Sequence, residues 1–527
     1  DGNTYLHIAA ESGDINKVNA AIKAGVDVEC KNKDGNTAII LAVLTKHVDI
    51  VKCLIDAGAN VSTSGEDGNT AIILAVLTKH VDIVKCLIDA GANVNTSGER
   101  EFTALHCAAQ EGHADLVKVL INATANLEAV TEDGFTPLHY AAQFGHKDVA
   151  EILIGAKANI EALTKDDNMP VHLASWKGHV DIVKYFIEII GVDKEIKGHV
   201  NKTLLISAAE SGQSEVVKYL LGIGADIETV TSDGFTPLHH AAQFGHKDVA
   251  EILIGAKANI EALTKDNSMP VHLAALDGHL DVVKYFIKTL GIDKEVKGQD
   301  NKTPLINAAE GGHSEVVKYL LGIGADSEAV TSNGFTPLHM AAQEGHKDVA
   351  EILIGAKANI EALTKKGFTP LHLAAQNGHK DVAEILIGAK ANIEALTKLG
   401  FTPLHYAATY SHKDVVEILI GAKANIEALS QYKDTPLIWA ARNGHADVVR
   451  ILIDAGANTE ACSQYKNYTP LIWAAQEGHA DVVKILINAG ANKDVCNQDG
   501  KAALRLALDN GHTEVAKLLT DASTPVK

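Results

Sequence analysis

The sequence repeats itself every 33 residues, and this period limits the possible folds more than any other feature. Aligning the chain on itself gives sixteen repeats with no linker between them. We name each repeat by its first residue, and the repeats begin at residues 1, 34, 67, 100, 133, 166, 200, 233, 266, 300, 333, 366, 399, 432, 466 and 499. Because each repeat of such a chain contacts only its neighbours, we expect one continuous array over residues 1–527, with 499–527 as its C-terminal cap.

Repeat 133 shows how one period encodes two short helices. The Asp-Gly pair at 133–134 predicts a turn. A helix then starts at Thr136 and Pro137, since Thr caps the first amides and Pro suits the first helical position. Gly145 is expected to end this helix in the left-handed conformation. Asp148 falls in the first turn of a second helix, where it favours the positive end of the helix dipole. The pattern predicts an all-α chain of about sixteen helix-turn-helix units.

Two short motifs recur at fixed places in the repeat. The sequence Thr-Pro-Leu-His stands at Thr136–His139, Thr236–His239, Thr336–His339, Thr369–His372 and Thr402–His405. A Gly-His pair separates the two helices, for example at Gly145-His146, Gly245-His246 and Gly444-His445. With these motifs and this period, the whole chain resembles the ankyrin repeat family.

The resemblance implies a fold and a kind of function. Each repeat would form a turn, two antiparallel helices and a hairpin loop, stacked into a curved superhelical solenoid. Ankyrin arrays bind protein partners on the hairpin tips and on the concave face of the first helices. Long arrays of this kind occur in ankyrins, in effectors of intracellular bacteria and in arthropod latrotoxins.

Charge and composition narrow the class of partner. The net charge of −20 argues against nucleic acid and against anionic membranes, whereas a protein partner with a basic surface would suit it. No apolar run approaches the roughly 20 residues of a membrane span. No nucleophile motif and no phosphate loop is present, so we expect a non-enzymatic, monomeric interaction scaffold without a cofactor. The alternative is the partner-targeting region of a larger toxin or effector whose active domain lies outside this chain, which begins at Asp1 without Met.

Histidine and cysteine are the residues that could suggest a metal site. Of 25 histidines, nine hold the seventh position of a repeat and fourteen lie at the junction between helices; only His199 and His240 fall outside both sets. A side chain that recurs at every joint is predicted to be structural, so we expect no metal site. The six cysteines form no CxxC pair, which indicates free thiols in a reducing compartment such as the cytoplasm.

Aromatic side chains are scarce, and their positions nominate a binding surface. Trp439 and Trp473 hold the eighth position of repeats 432 and 466, so we expect both on the concave face, where their truncation should weaken binding and leave thermal stability nearly unchanged. Other candidates on the first helices are Trp176, Tyr140, Phe144, Phe244, Tyr406 and Tyr410.

Phenylalanine recurs at the third position of the repeat, on the predicted turn. These residues are Phe102, Phe135, Phe235, Phe335, Phe368 and Phe401. They are candidates for partner contact, and the alternative is that neighbouring rings simply pack on each other.

Repeats 34 and 67 form a second candidate region, because both lack the Pro and His of the motif. Leu41, Leu44, Leu74 and Leu77 would then line an apolar strip on the partner-binding side. The alternative is a degenerate pair of repeats that was duplicated.

Two further residue types recur in register. Lysine replaces the usual glycine after the second helix at Lys157, Lys257, Lys357, Lys390 and Lys423, where we expect a left-handed backbone that costs on the order of 1 kcal/mol. Glutamate recurs at Glu161, Glu261, Glu361, Glu394 and Glu427, which predicts a solvated acidic face.

Overall fold

The computed structural model describes residues 2–65 and 68–521, apart from the side chain of residue 521. The last six residues of the predicted C-terminal cap therefore lie outside the described part. The chain divides into two compact units, Asp1–Lys265 and Asp266–Lys527. Helices account for the regular structure, and the described residues contain isolated β-bridges but no β-strand. The all-α, repeated helix-turn-helix fold is thus confirmed, whereas the cooperativity of the array stays a prediction.

In the first compact unit, residues 2–65 and 68–265 form sixteen α-helices, two in each repeat. In chain order they are α1 Tyr5–Glu11, α2 Ile15–Lys23, α3 Ala38–Leu44, α4 Val48–Asp56, α5 Ala71–Leu77, α6 Val81–Asp89, α7 Ala104–Gln110, α8 Ala114–Asn122, α9 Pro137–Phe144, α10 Lys147–Gly155, α11 Pro170–Lys177, α12 Val180–Lys184, α13 Leu204–Glu210, α14 Ser214–Gly222, α15 Pro237–Gln243 and α16 Lys247–Gly255.

The second compact unit has the same composition. Its helices are α17 Pro270–Leu276, α18 Leu280–Lys284, α19 Pro304–Glu310, α20 Ser314–Gly322, α21 Pro337–Glu344, α22 Lys347–Gly355, α23 Pro370–Asn377, α24 Lys380–Gly388, α25 Pro403–Thr409, α26 Lys413–Gly421, α27 Pro436–Arg442, α28 Ala446–Asp454, α29 Pro470–Glu477, α30 Ala480–Asn488, α31 Ala503–Asp509 and α32 Thr513–Asp521.

Small side chains let the first helices of successive repeats pack closely. In α9, Leu138, Ala141 and Ala142 are fully buried, and this helix packs on α7 and on α11. The second helices pack in a parallel row through buried Val and Leu, as Val149 and Leu153 do in α10. Each fully buried Val or Leu side chain contributes about 1.5–3 kcal/mol, so the core is a continuous sum of small and repeated terms.

The histidine at the seventh position bridges two repeats. In repeat 366, Nδ1 of His372 accepts a hydrogen bond from the Thr369 backbone N–H at 3.1 Å and lies 2.8 Å from the Thr369 hydroxyl. Its Nε2 then carries the proton and donates to the Phe401 carbonyl of the next repeat at 3.0 Å. Burial lowers the pKa of His372 to about 4, against the opposing effect of its backbone hydrogen bonds. The structural role predicted for this set is confirmed by this geometry.

Three repeats carry an extra residue, and the fold absorbs it in two ways. In repeats 166 and 266 the second helix ends in π-helical turns, Tyr185–Ile190 and Tyr285–Thr289. In repeat 432 the extra residue enlarges the following hairpin turn, where Lys466 and Asn467 both take a positive φ.

The recurring lysines and glutamates have backbone roles. All five lysines that follow a second helix are left-handed, with φ between 67° at Lys357 and 77° at Lys157, as predicted. The glutamates do more than form a solvated acidic face, because their carboxylates also accept hydrogen bonds from the backbone. Glu361 Oε1, for example, accepts the backbone N–H of Asn392 in the next repeat at 2.7 Å. Such contacts connect the hairpin of one repeat to the next.

Candidate functional site

The two tryptophans of repeats 432 and 466 line one cavity at the hairpin side of the first helices. Trp439 lies on α27 and Trp473 on α29, which pack against each other. The cavity has a volume of about 860 Å³. We call it the tryptophan cavity and define it by six of its lining residues, which are Tyr432, Asp434, Trp439, Arg442, Tyr465 and Trp473.

We attribute the cavity to the third position of repeat 432, which departs from the pattern of the preceding repeats. Asp434 stands where Phe335, Phe368 and Phe401 stand in the preceding repeats. A carboxylate is much smaller than a phenyl ring and leaves the space beneath the turn open. Near Phe335 and Phe368, in the corresponding place, the cavity measures only about 330 Å³.

Trp473 forms the floor of the cavity and is itself largely buried. Its side chain is 5% exposed, with the ring centroid 4.7 Å from that of Tyr468 and stacked at 5.5 Å on Tyr465. Truncating a side chain this buried is expected to cost about 3–5 kcal/mol. The expectation that its removal would leave stability nearly unchanged is therefore wrong for Trp473. Trp439 is half-buried and contacts Phe401 at 5.3 Å.

Arg442 occupies the space between the two indoles. The centre of its guanidinium lies 4.2 Å from the Trp473 ring centroid and 5.4 Å from that of Trp439. The indole N–H groups of Trp439 and Trp473 are buried without a hydrogen-bond partner. Asp434 Oδ1 is also buried without one, and burial raises the pKa of this carboxyl, while the Ser463 hydroxyl and Arg442 oppose that shift. The site thus combines aromatic walls with polar atoms that the chain itself leaves unsatisfied.

The turn phenylalanines pack on other rings rather than directly on each other. Phe368 and Phe401 contact Tyr406 from two sides, with ring centroids 5.0 and 5.4 Å apart. In the same way Phe135 and the preceding Phe102 enclose Tyr140. Five of the six nominated rings remain half-buried, whereas Phe401 is 7% exposed and belongs to the core; the half-buried ones are Phe102, Phe135, Phe235, Phe335 and Phe368.

The remaining aromatic candidates differ in their exposure. Phe144, Phe244, Tyr410 and Trp176 are exposed. Tyr140 and Tyr406 are half-buried between the turn phenylalanines. The four exposed rings belong to different repeats and lie outside the tryptophan cavity, so they do not form one site with it.

The leucine strip of repeats 34 and 67 lies at the surface. Leu44 and Leu77 are exposed, and Leu41 and Leu74 are half-buried. Ile8 of α1 is exposed as well, and it holds the same eighth position as Leu41 and Leu74. The strip therefore extends into the first repeat, which the alignment of eighth positions could have indicated.

Sequence reasoning also missed four residues of the tryptophan cavity, namely Tyr432, Asp434, Arg442 and Tyr465. Two signals were available. Asp434 interrupts the row of turn phenylalanines, and the sequence Ser-Gln-Tyr-Lys occurs only before repeats 432 and 466, at residues 430–433 and 463–466. Each of these signals marks the place where the cavity opens.

Three general findings bear on chemistry. Within residues 2–65 and 68–521, no group of three or more His, Cys, Asp or Glu is arranged to hold a metal ion. All six cysteines are free thiols. No helix among the described residues is long and apolar enough to cross a membrane.

Comparison with known protein families identifies the repeat. The family profile described as ankyrin repeats (three copies) matches residues 6–98, 96–166, 171–266, 253–331, 271–363, 308–397, 353–429, 371–462, 421–497 and 437–526. No curated protein sequence matches the chain significantly. Among solved structures, the chain is similar to the human ASB11 ankyrin repeat domain, with 30% identity, a TM-score of 0.40, and coverage of 43% of this chain and 100% of that one. The profile matches run from residue 6 to residue 526, and on them we conclude that the chain belongs to the ankyrin repeat family.

Proposed function

We propose that this chain is a non-enzymatic scaffold that binds a protein partner, and that the tryptophan cavity is the centre of the contact. Ankyrin repeats generally serve as protein–protein interaction modules. The observation that carries the proposal for this chain is the convergence of two Trp and two Tyr side chains on one cavity of about 860 Å³. Trp and Tyr are enriched in interface hot spots, and a cavity of this size can receive a side chain or a short segment of a partner.

The exposed rings of the cavity rim are the best targets for a test. Tyr432 and Tyr465 are 45% and 54% exposed, so their truncation removes contact area and costs much less packing than truncation of Trp473, although it removes the ring stacked on Trp473. We expect Tyr432→Ala/Tyr465→Ala to weaken partner binding at least about tenfold, or about 1.4 kcal/mol, with a nearly unchanged melting temperature. The measurement is the affinity of a partner captured by the intact chain, together with a thermal melt.

A matched control comes from the preceding repeat. Tyr410 is 49% exposed and lies outside the cavity, so Tyr410→Ala removes the same kind of side chain from a different place. We expect this variant to bind like the parent chain. Unchanged affinity of the double variant, or equal loss in the control, would contradict the central role of the cavity.

We further propose that the scaffold acts as a monomer in the cytoplasm, where its six free thiols would stay reduced. The net charge of −20 would help to keep such a chain soluble and would favour a partner with a basic surface elsewhere in the contact.

A further inference from the structure

The arginines of the chain differ in one respect that points to a ligand. The sequence contains four of them. Arg100, Arg450 and Arg505 each form an ion pair with a nearby carboxylate, and all three are largely exposed. Arg442 is half-buried, and no carboxylate oxygen of the described residues lies within 4.0 Å of its guanidinium nitrogens. In a chain with 67 acidic residues, the most enclosed arginine is the one without a carboxylate oxygen within 4.0 Å among the described residues, although it interacts with the charge of Asp434 at longer range.

The surroundings of Arg442 hold its guanidinium plane and leave its N–H groups available. The faces of Trp473 and Trp439 lie 4.2 and 5.4 Å from the guanidinium centre. An aromatic contact stabilises the charge of a guanidinium but uses none of its five N–H donors. The planar fork of these donors matches the two oxygens of a carboxylate, and a held guanidinium loses less entropy when it binds one.

The other polar groups of the cavity include two hydrogen-bond donors that would suit an acceptor on the ligand. The indole N–H groups of Trp439 and Trp473 are buried donors without partners, and the Trp473 side chain is more than nine-tenths buried. An unpartnered buried donor is costly, and these two are shielded from solvent, so an acceptor on the ligand reaches them only if the rings move. Two acidic residues line the cavity, the buried Asp434 and the exposed Glu477, and each opposes an incoming anion whenever its carboxyl is ionised.

We propose that the tryptophan cavity binds the carboxylate of an Asp or Glu side chain from a segment of the partner protein, with Arg442 as the pairing residue. This inference rests on the proposed function and adds the chemistry of the ligand. A cationic side chain would instead meet Arg442 at the place where the aromatic walls already hold a cation. Attraction of a basic surface by the net negative chain would then act outside the cavity.

The tryptophans themselves can report occupancy of the site. The chain has three Trp residues, and only Trp176 lies outside the cavity. In the full-length Trp176→Phe background, all indole fluorescence comes from Trp439 and Trp473. The probes are three blocked heptapeptides that are identical except for the residues flanking a central tyrosine, which are glutamate, glutamine or lysine. Inorganic phosphate is a fourth probe.

We expect the glutamate peptide to change the fluorescence saturably and to bind at least about tenfold more tightly than the glutamine peptide. Arg442→Gln should remove this preference, and Asp434→Asn should preserve or strengthen it. Arg450→Gln is the matched control, since it changes the same charge on the exposed side of α28 and should leave the preference intact. Circular dichroism and a thermal melt check that each variant is folded.

Each other outcome overturns the carboxylate assignment. Preference for the lysine peptide would make the cavity a cation site, and equal binding of phosphate would make it a general anion site. A preference that survives Arg442→Gln would place the ligand elsewhere, and no response to any probe would leave no site of this chemistry. In all these cases the Tyr432/Tyr465 experiment still decides whether the cavity binds a protein, so failure of this inference is distinguishable from failure of the proposed function.

Discussion

Two pairs of repeats follow one another in the second compact unit, namely repeats 366 and 399 and repeats 432 and 466. They differ in the side chains that fill the space beneath the hairpin turn. In the first pair, Phe368 and Phe401 hold the third position and enclose Tyr406. In the second pair, that position is Asp434 and then Tyr468, and the cavity of about 860 Å³ opens. We call the first pair the histidine pair and the second the tryptophan pair.

The two pairs also differ at the seventh position of the repeat. His372 and His405 of the histidine pair donate to backbone carbonyls of the next repeat. Ile438 and Ile472 replace them in the tryptophan pair and are equally buried, but cannot donate. The buried alanines of the first helices are the same in both pairs, and the buried residues of the second helices differ only where repeat 366 has Ala383 in place of Val. The helix stack therefore does not need the histidine bridge or the turn phenylalanine, and a repeat without them can use its turn for another purpose.

Lowering the pH should destabilise the histidine pair more than the tryptophan pair. Burial lowers the pKa of His372 and His405 to about 4, whereas an unfolded histidine has a pKa of about 6.5. Between these values the unfolded state holds a proton that the folded state lacks, so the free energy of unfolding falls as the pH falls. Each histidine contributes fully above about pH 6.5 and loses about 3 kcal/mol by pH 4.

Hydrogen exchange with mass spectrometry at pH 7, 6 and 5 measures this difference helix by helix. We expect protection factors to fall more steeply in Pro370–Asn377 and Pro403–Thr409 than in Pro436–Arg442 and Pro470–Glu477. Parallel loss of protection in both pairs would show that the buried histidines do not set the acid response.

Exchanging the third-position residues should convert each pair toward the other. Phe368→Asp removes the ring contacts with His372 and Tyr406, and we expect a loss of about 2–4 kcal/mol and a larger cavity. Asp434→Phe removes a buried carboxylate with an unpartnered oxygen, and we expect a gain of about 1–3 kcal/mol together with weaker partner binding.

Denaturant unfolding followed by circular dichroism gives both changes in stability. Asp434→Asn is the control for the second substitution, because it removes the charge and keeps the shape. If Asp434→Phe were destabilising, the cavity would have to result from the longer turn rather than from the missing ring.

Most of the fold could be predicted from the sequence, because the information is local and is repeated many times. Thr136, Pro137 and Gly145 act at the ends of one helix, and the structure places each as the pattern predicts. The seventh-position histidines were assigned correctly because a repeated position averages out the features of any single repeat.

The candidate site was harder to predict, because it depends on features of single repeats and not on the repeated pattern. Trp439 and Trp473 were found because Trp is rare, but the burial of Trp473 involves its contact with Tyr468, a residue that only repeat 466 has at the third position. Arg442 was missed, since its importance lies in the absence of a carboxylate partner across repeats. A local pattern does not contain that information.

His240 tests whether an unpartnered polar atom at the eighth position marks a binding site or only lowers the stability of the fold. Like the Trp473 indole, the His240 ring is buried, and neither of its nitrogens has a hydrogen-bond partner. Burial lowers its pKa to about 3, and the charge of Lys202 adds to this. The corresponding residue of repeat 333 is Met340, and the repeats that precede these two carry the equivalent pairs Lys202–Glu210 and Lys302–Glu310.

We therefore expect His240→Met to stabilise the chain by about 1–2 kcal/mol without affecting partner binding, whereas substitutions at Trp473 should lower both stability and binding. Thermal denaturation and the partner-affinity assay separate the two cases. A loss of binding in His240→Met would extend the contact surface to the first compact unit.

The smallest difference between the two pairs lies after their second helices, where the histidine pair has lysine and the tryptophan pair has glycine. Lys390 has a φ of 70° and Gly456 a φ of 94°, and both are left-handed. A Cβ at Gly456 would have no atom within 4 Å, so only the backbone conformation distinguishes the two residues.

Lys390→Gly should stabilise the chain by at most about 1 kcal/mol, because glycine adopts this conformation without strain and the helix dipole offsets part of the cost for lysine. Gly456→Lys should destabilise it by a similar amount. Opposite and nearly equal shifts of the denaturation midpoint would show that this position contributes the same small term in both pairs, and a destabilised Lys390→Gly would show that the lysine side chain makes a contact beyond its backbone.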